Sequence, residues 1–105
     1  MVEAIALNAT ELVDAFRIWS GWGRSSRPCR DEQRMEAQYE ASECEHLLSI
    51  IGRLEEDFYA TDASRVEAGL DRMVARAEAD FRRLHPDVAE QIVQILGWCY
   101  GYDYR

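Results

Sequence analysis

The chain has 105 residues, with 20 acids against 12 bases and a formal net charge of −8. That length suits one domain with a modest core, and a hydrophobic content of 48% excludes intrinsic disorder. The acidic balance excludes a protein whose whole surface binds nucleic acid, and no apolar run reaches the length of a membrane span.

In chain order, residues 1–9 lack the basic start and long apolar run of a signal peptide. Asn8 is placed to cap a first helix, with Glu11 three residues on completing a capping box. Leu12, Val13, Phe16 and Trp19 form its apolar stripe, and Gly21 is expected to end it. Residues 20–30 hold two Gly, three Ser and Pro28 and read as a loop. A long helix is predicted over about 31–59, with Asp31 and Glu32 opposing the dipole in its first turn. Residues 60–63 break the pattern, Asp62 or Ser64 can cap the next helix, and Ser64 with Glu67 offers another capping box. Val66, Leu70, Met73, Ala77, Phe81 and Leu84 follow at the three- and four-residue spacing of an amphipathic helix. Pro86 is placed at the first position of a last helix, whose stripe is Val88, Ile92, Ile95, Leu96 and Cys99. Gly101 is expected to stop it. No alternation of strand type appears. The expectation is an all-α fold: four helices in a single domain over 1–105, with no sheet.

The charge is segregated. Residues 31–62 contain ten acids and two bases, which is the entire net charge, while residues 17–30 contain Arg17, Arg24, Arg27 and Arg30 and no acid. All twelve bases are arginine. Within the predicted long helix Leu47, Ile51, Leu54 and Phe58 share a face. The same line extended backward meets Glu43, Glu40 and Glu36. A buried row of unpaired carboxylates is not viable, so either the helix projects beyond the core or its first half turns Met35, Tyr39 and His46 inward. In both cases Glu36, Glu40 and Glu43 form an exposed ridge. Like charges at these spacings cost about 0.2–0.5 kcal/mol per pair. The ridge reads either as a solvated face that maintains solubility or as a docking surface whose carboxylates imitate backbone phosphates. On the second reading the partner-binding residues are Glu32, Glu36, Glu40, Glu43, Glu55, Glu56 and Asp57.

Trp19, Trp22, Arg24 and Arg27 interleave aromatic and cationic groups. Such a loop can stack bases and hold phosphates or anchor a protein interface. Trp22, Arg24 and Arg27 are therefore secondary partner-binding candidates, with the alternative that these arginines pair with the acidic helix of the same molecule.

No catalytic or cofactor motif is recognised. Glu43-x-x-His46 has the spacing of a di-iron ligand pair, but such sites need a second copy and two further Glu. Cys29, Cys44 and Cys99 match no zinc spacing and have no partner motif for nucleophilic catalysis. They read as small apolar residues and as reduced thiols of a cytoplasm. The expectation is a non-enzyme with no metal and no cofactor.

Three stretches carry a resemblance: Val66 to Arg76, Leu84 to Ile92, and Gly97 to Arg105. They are similar to the run-up to the helix-turn-helix in phage late-gene antitermination proteins of the Q type, and to that of sigma-factor region four. Ile18-Trp19-Ser20-Gly21-Trp22-Gly23-Arg24 resembles the Trp/Gly-rich N-terminal stretch of those antiterminators. In that family the tail matching Tyr104-Arg105 leads into DNA-reading helices, which this chain does not include, so the resemblance implies action on proteins rather than direct binding to DNA. The small size, acidity and helical character also resemble anti-CRISPR proteins, many of which occupy the nucleic-acid surface of a Cas effector. Together these readings predict a phage-encoded inhibitor in the bacterial host cytoplasm, docking an acidic helix on the basic groove of a Cas effector. The alternatives are an antitermination-type regulator acting through RNA polymerase and an immunity-type partner protein.

Overall fold

The computed structural model describes residues 9–105. Among them the backbone forms only helices: α1 (Thr10–Ser20), α2 (Glu32–Gln38), α3 (Ala41–Tyr59), a single turn α4 (Ala63–Val66), α5 (Leu70–Leu84) and α6 (Glu90–Asp103). The all-α expectation holds, whereas the expected count of four does not, because two of the predicted boundaries move.

The first is the long helix over 31–59, which is two helices. Tyr39 and Glu40 are extended, at ψ 151° and ψ 156°. At about 100° per residue Met35 and Cys44 would lie on opposite faces of an unbroken helix, yet both are buried. The break lets α2 bury Met35 while α3 buries Cys44, Leu47, Ile51, Leu54 and Phe58. It also takes Glu36 and Glu40 out of one helical row and removes their i,i+4 repulsion. Asp31 caps α2, its carboxylate accepting from the Gln33 N–H at 2.9 Å.

The second is the helix predicted from Val66. Gly69 has φ +92°, outside helical geometry, so α5 begins at Leu70 and leaves Val66 exposed. The Ser64–Glu67 box does not cap it. Thr61 serves the preceding turn α4, its hydroxyl accepting from the Ala63 N–H at 3.2 Å, and no side chain caps α5. Asn8 lies outside the described residues, and the N-cap position of α1 is Ala9, without a side-chain bond. Gly21 does end α1, at φ +82° with its N–H donating to the Arg17 carbonyl. Pro86 is not a helix start: it sits in a turn closed by the Val88 N–H on the His85 carbonyl at 3.2 Å. Gly101 does not stop α6, which runs on to Asp103. A Cβ on Gly101 would lie 3.2 Å from the Val74 methyl of α5, so this glycine sets how closely the two helices approach.

α6 is the centre of the packing, against α1, α3 and α5. It buries Ile92, Val93, Ile95, Leu96, Cys99 and Tyr100 on several sides, as a helix enclosed by neighbours does. Phe58 of α3 meets Phe81 of α5 at 5.2 Å and Tyr100 of α6 at 5.8 Å between ring centres. Each such ring contributes about 1.5–3 kcal/mol by burial. Among the described residues no helix is long and apolar enough to cross a membrane.

Candidate functional site

Three constellations lie around this core: an acidic end, an arginine hub, and an open groove lined by α1, the loop after it and α2.

The acidic end joins α2 to the start of α3. Glu32, Glu36, Glu40, Glu43 and Glu45 are all exposed, and none forms an ion pair among the described residues. Burial pushes the Cys44 thiol up, and the negative potential of Glu36 and Glu32 adds to it. Burial likewise raises the Tyr39 phenol, helped by Asp14, Glu43 and Glu11. Carboxylates of α2 thus act on Cys44, and carboxylates of α1 and α3 act on Tyr39. Glu43 stands in the first turn of α3, where the helix dipole favours an anion. Of the residues expected to turn inward, Met35 is buried, while Tyr39 and His46 are half-buried.

The later acids behave otherwise. Glu55 accepts from the Arg30 Nε at 2.6 Å, and Asp57 meets the His85 Nε2 at 2.7 Å. Only Glu56 of this group is exposed without a partner among the described residues. The expected docking set is thus divided: Glu32, Glu36, Glu40 and Glu43 face solvent together, and Glu55 and Asp57 bind within the molecule.

Arg30 is the centre of the hub. Its Nη2 donates to the Tyr59 hydroxyl and to the Asp103 carboxylate, each at 2.9 Å, and Tyr59 donates to the same carboxylate at 2.6 Å. The guanidinium also lies 5.7 Å from the Trp19 ring centre and 5.9 Å from that of Tyr59. Burial opposes the charge, but the bonds to Asp103 and Glu55 outweigh it and hold Arg30 charged. Burial, then the bond to Asp103, pushes the Tyr59 phenol far up. One arginine so ties the loop to α3 and α6 across 73 residues of sequence. Neither Arg30 nor Tyr59 nor Asp103 stands out in the sequence, and no local spacing relates them.

The loop itself is ordered by a second arginine. Arg34 of α2 donates from Nε to the Ile18 carbonyl at 2.8 Å and from Nη2 to the Trp19 carbonyl at 3.0 Å, with the Cys29 carbonyl also bonded. It thereby satisfies the carbonyls left open at the end of α1. Trp19 is core, at 5% exposure. Trp22 is half-buried with its ring edge-on to Trp98 of α6 at 5.2 Å. Arg24 and Arg27 are exposed and unpaired among the described residues, so the expected intramolecular pairing belongs to Arg30 rather than to them. Cys29 is exposed, against the expectation of a small core residue. Cys44 and Cys99 are buried, and burial pushes the Cys99 thiol up to about 11.

Glu43 points to solvent while the His46 Nε2 is buried without a hydrogen-bond partner, so this pair does not converge on one point. Among the described residues no three His, Cys, Asp or Glu side chains are grouped to hold a metal ion.

The chain matches no family model, no curated protein and no solved structure.

Proposed function

We propose that this is a non-catalytic binding protein that docks its acidic end on the basic, nucleic-acid-binding groove of a bacterial host effector, in the manner of an anti-CRISPR protein acting in the cytoplasm. The observation that carries this reading is the set Glu32, Glu36, Glu40 and Glu43. These carboxylates come from α2, the extended break after it and the first turn of α3, are all exposed, and have no internal partner among the described residues. Such a field steers association with a basic surface and contributes specificity. The break at Tyr39–Glu40 makes the surface a corner rather than the straight projecting ridge expected from the sequence. The test is inhibition of target-DNA binding by a purified Cas effector. Reversal of Glu36, Glu40 and Glu43 to Arg is expected to abolish inhibition, and Asp71→Asn, at an exposed acid of α5, to leave it unchanged. Inhibition that survives the triple reversal removes the reading.

A second reading, an antitermination-type regulator acting through RNA polymerase, is favoured by one contact. The Trp/Gly-rich stretch and the C-terminal stretch that carry the resemblance meet in the structure through Trp22 and Trp98. Read-through of a phage terminator in a purified transcription reaction tests it, and unchanged termination removes it.

A further inference from the structure

A groove of about 650 Å³ opens between α1, the loop after it and α2. Its walls carry Arg17, Arg24 and Arg34, with Asp14 as the one acid, and two aromatic side chains, Trp22 and Tyr39. Gln38 adds a side-chain amide. The lining is thus net positive on a chain of net charge −8, and it is not the acidic end described above. The volume lies in the range of small-molecule sites, roughly 300–1,000 Å³.

The three guanidinium groups are differently free. Arg34 is fixed by the carbonyls of Ile18, Trp19 and Cys29, so its charge is placed in advance and loses no entropy on binding. Arg17 has only a 3.8 Å contact to Asp14, and both side chains are about half exposed; pairs of that kind are worth little and are readily exchanged. Arg24 has no partner among the described residues. Guanidinium donors in a fork suit a phosphate. Aromatic rings beside them suit a planar base, and an amide suits its hydrogen-bonding edge. A volume of about 650 Å³ has room for one nucleotide unit rather than a long polyanion.

We propose that this groove binds one nucleoside monophosphate unit, with the phosphate on Arg24 and Arg17 and the base between Trp22 and Tyr39. The unit is either a free nucleotide or the phosphorylated end of a strand.

The experiment is a titration of the whole chain at low salt, followed by backbone amide shifts and tryptophan emission. The probes are AMP, inorganic phosphate and a short 5′-phosphorylated single-stranded DNA. Saturable shifts confined to residues around Arg17, Trp22, Arg24 and Tyr39 are expected with AMP, with phosphate alone at least about tenfold weaker because it forgoes stacking. Arg24→Glu is expected to weaken AMP about tenfold or more through loss of a charge-assisted bond. Arg24 is exposed, so an unchanged melting temperature shows that the variant is folded; Arg24→Gln serves as the milder second variant. If the phosphorylated strand binds more tightly than AMP, the unit is a strand end; if AMP binds at least as well, it is a free nucleotide. No saturable shift with AMP up to about 10 mM, equal binding of phosphate and AMP, or equal binding by parent and both variants overturns the proposal. None of these outcomes depends on the acidic end or on its partner.

Discussion

Between residues 32 and 45 the carboxylates stand in solvent without partners, whereas between 55 and 62 most of them are bound inside the molecule. Both stretches are acidic and helical, and by composition they look alike. The difference lies in what the rest of the chain brings near them. Arg30 reaches Glu55, His85 reaches Asp57 and Arg76 reaches Asp62. Among the described residues nothing basic reaches Glu32, Glu36, Glu40 or Glu43, because Arg34, their nearest base in sequence, is committed to carbonyls of α1 and the loop. A charge that stabilises the fold and a charge left in solvent thus differ only in tertiary surroundings.

The strongest way to break the contrast is Arg30→Ala. It removes donors to Glu55, Tyr59 and Asp103 at once and is expected to cost about 1–3 kcal/mol, toward the lower figure because the pairs are about one-third exposed. Thermal melting reads this as a fall of about 4–8 °C per kcal/mol. Arg24→Ala, on the same loop but unpaired, is expected to change stability by less than about 0.5 kcal/mol. Equal effects from the two would erase the distinction between bound and free charges.

A smaller effect separates two acids on one helix. Asp80 is held below the usual carboxylate range, first by the Thr61 hydroxyl and then by Arg76 and Arg83. Its stabilisation is therefore complete above the pKa of an unfolded aspartate, about 3.9, and is lost as pH falls through the folded value. Glu78, two residues earlier, is pushed up by burial against Gly97. Its contribution is present below the pKa of an unfolded glutamate, about 4.3, and is lost as pH rises through the folded value. At pH 7 Asp80→Asn is expected to cost about 1–2 kcal/mol and Glu78→Gln to stabilise. Denaturant melts across acid pH should show both differences closing near and below pH 4.

The smallest effect concerns the free end. Glu36→Gln relieves its like-charge neighbour Glu32 within α2 and is expected to stabilise by about 0.2–0.5 kcal/mol, shrinking as salt is added. A loss of stability instead would mean that Glu36 has a structural partner.

Much of the architecture was legible locally. The stripe Leu47, Ile51, Leu54 and Phe58 is buried as its spacing predicts, and Gly21 ends α1. The glycines show where such reading stops. Gly21 and Gly101 follow similar apolar stripes, yet Gly101 is helical because α5 needs the space a side chain would take. The break at Tyr39–Glu40 carries no Gly or Pro. It follows from the demand that Met35 and Cys44 both face one core, a demand that exists only once α1 packs against both α2 and α3. Part of the candidate site was visible as the run of free Glu residues. The Arg30 hub and the groove were not, since they join residues that no local period relates.

The sequence by itself determined an all-helical chain, the faces of α1 and α3, and the segregation of arginine from acid, because helical periodicity and charge counts are properties of neighbouring residues. The tertiary structure decided where the acidic helix divides, which carboxylates are consumed by Arg30, His85 and Arg76, and which arginines line an open groove. Those outcomes rest on ion pairs and packing between residues as much as 73 positions apart, and such contacts exist only once the helices have packed together.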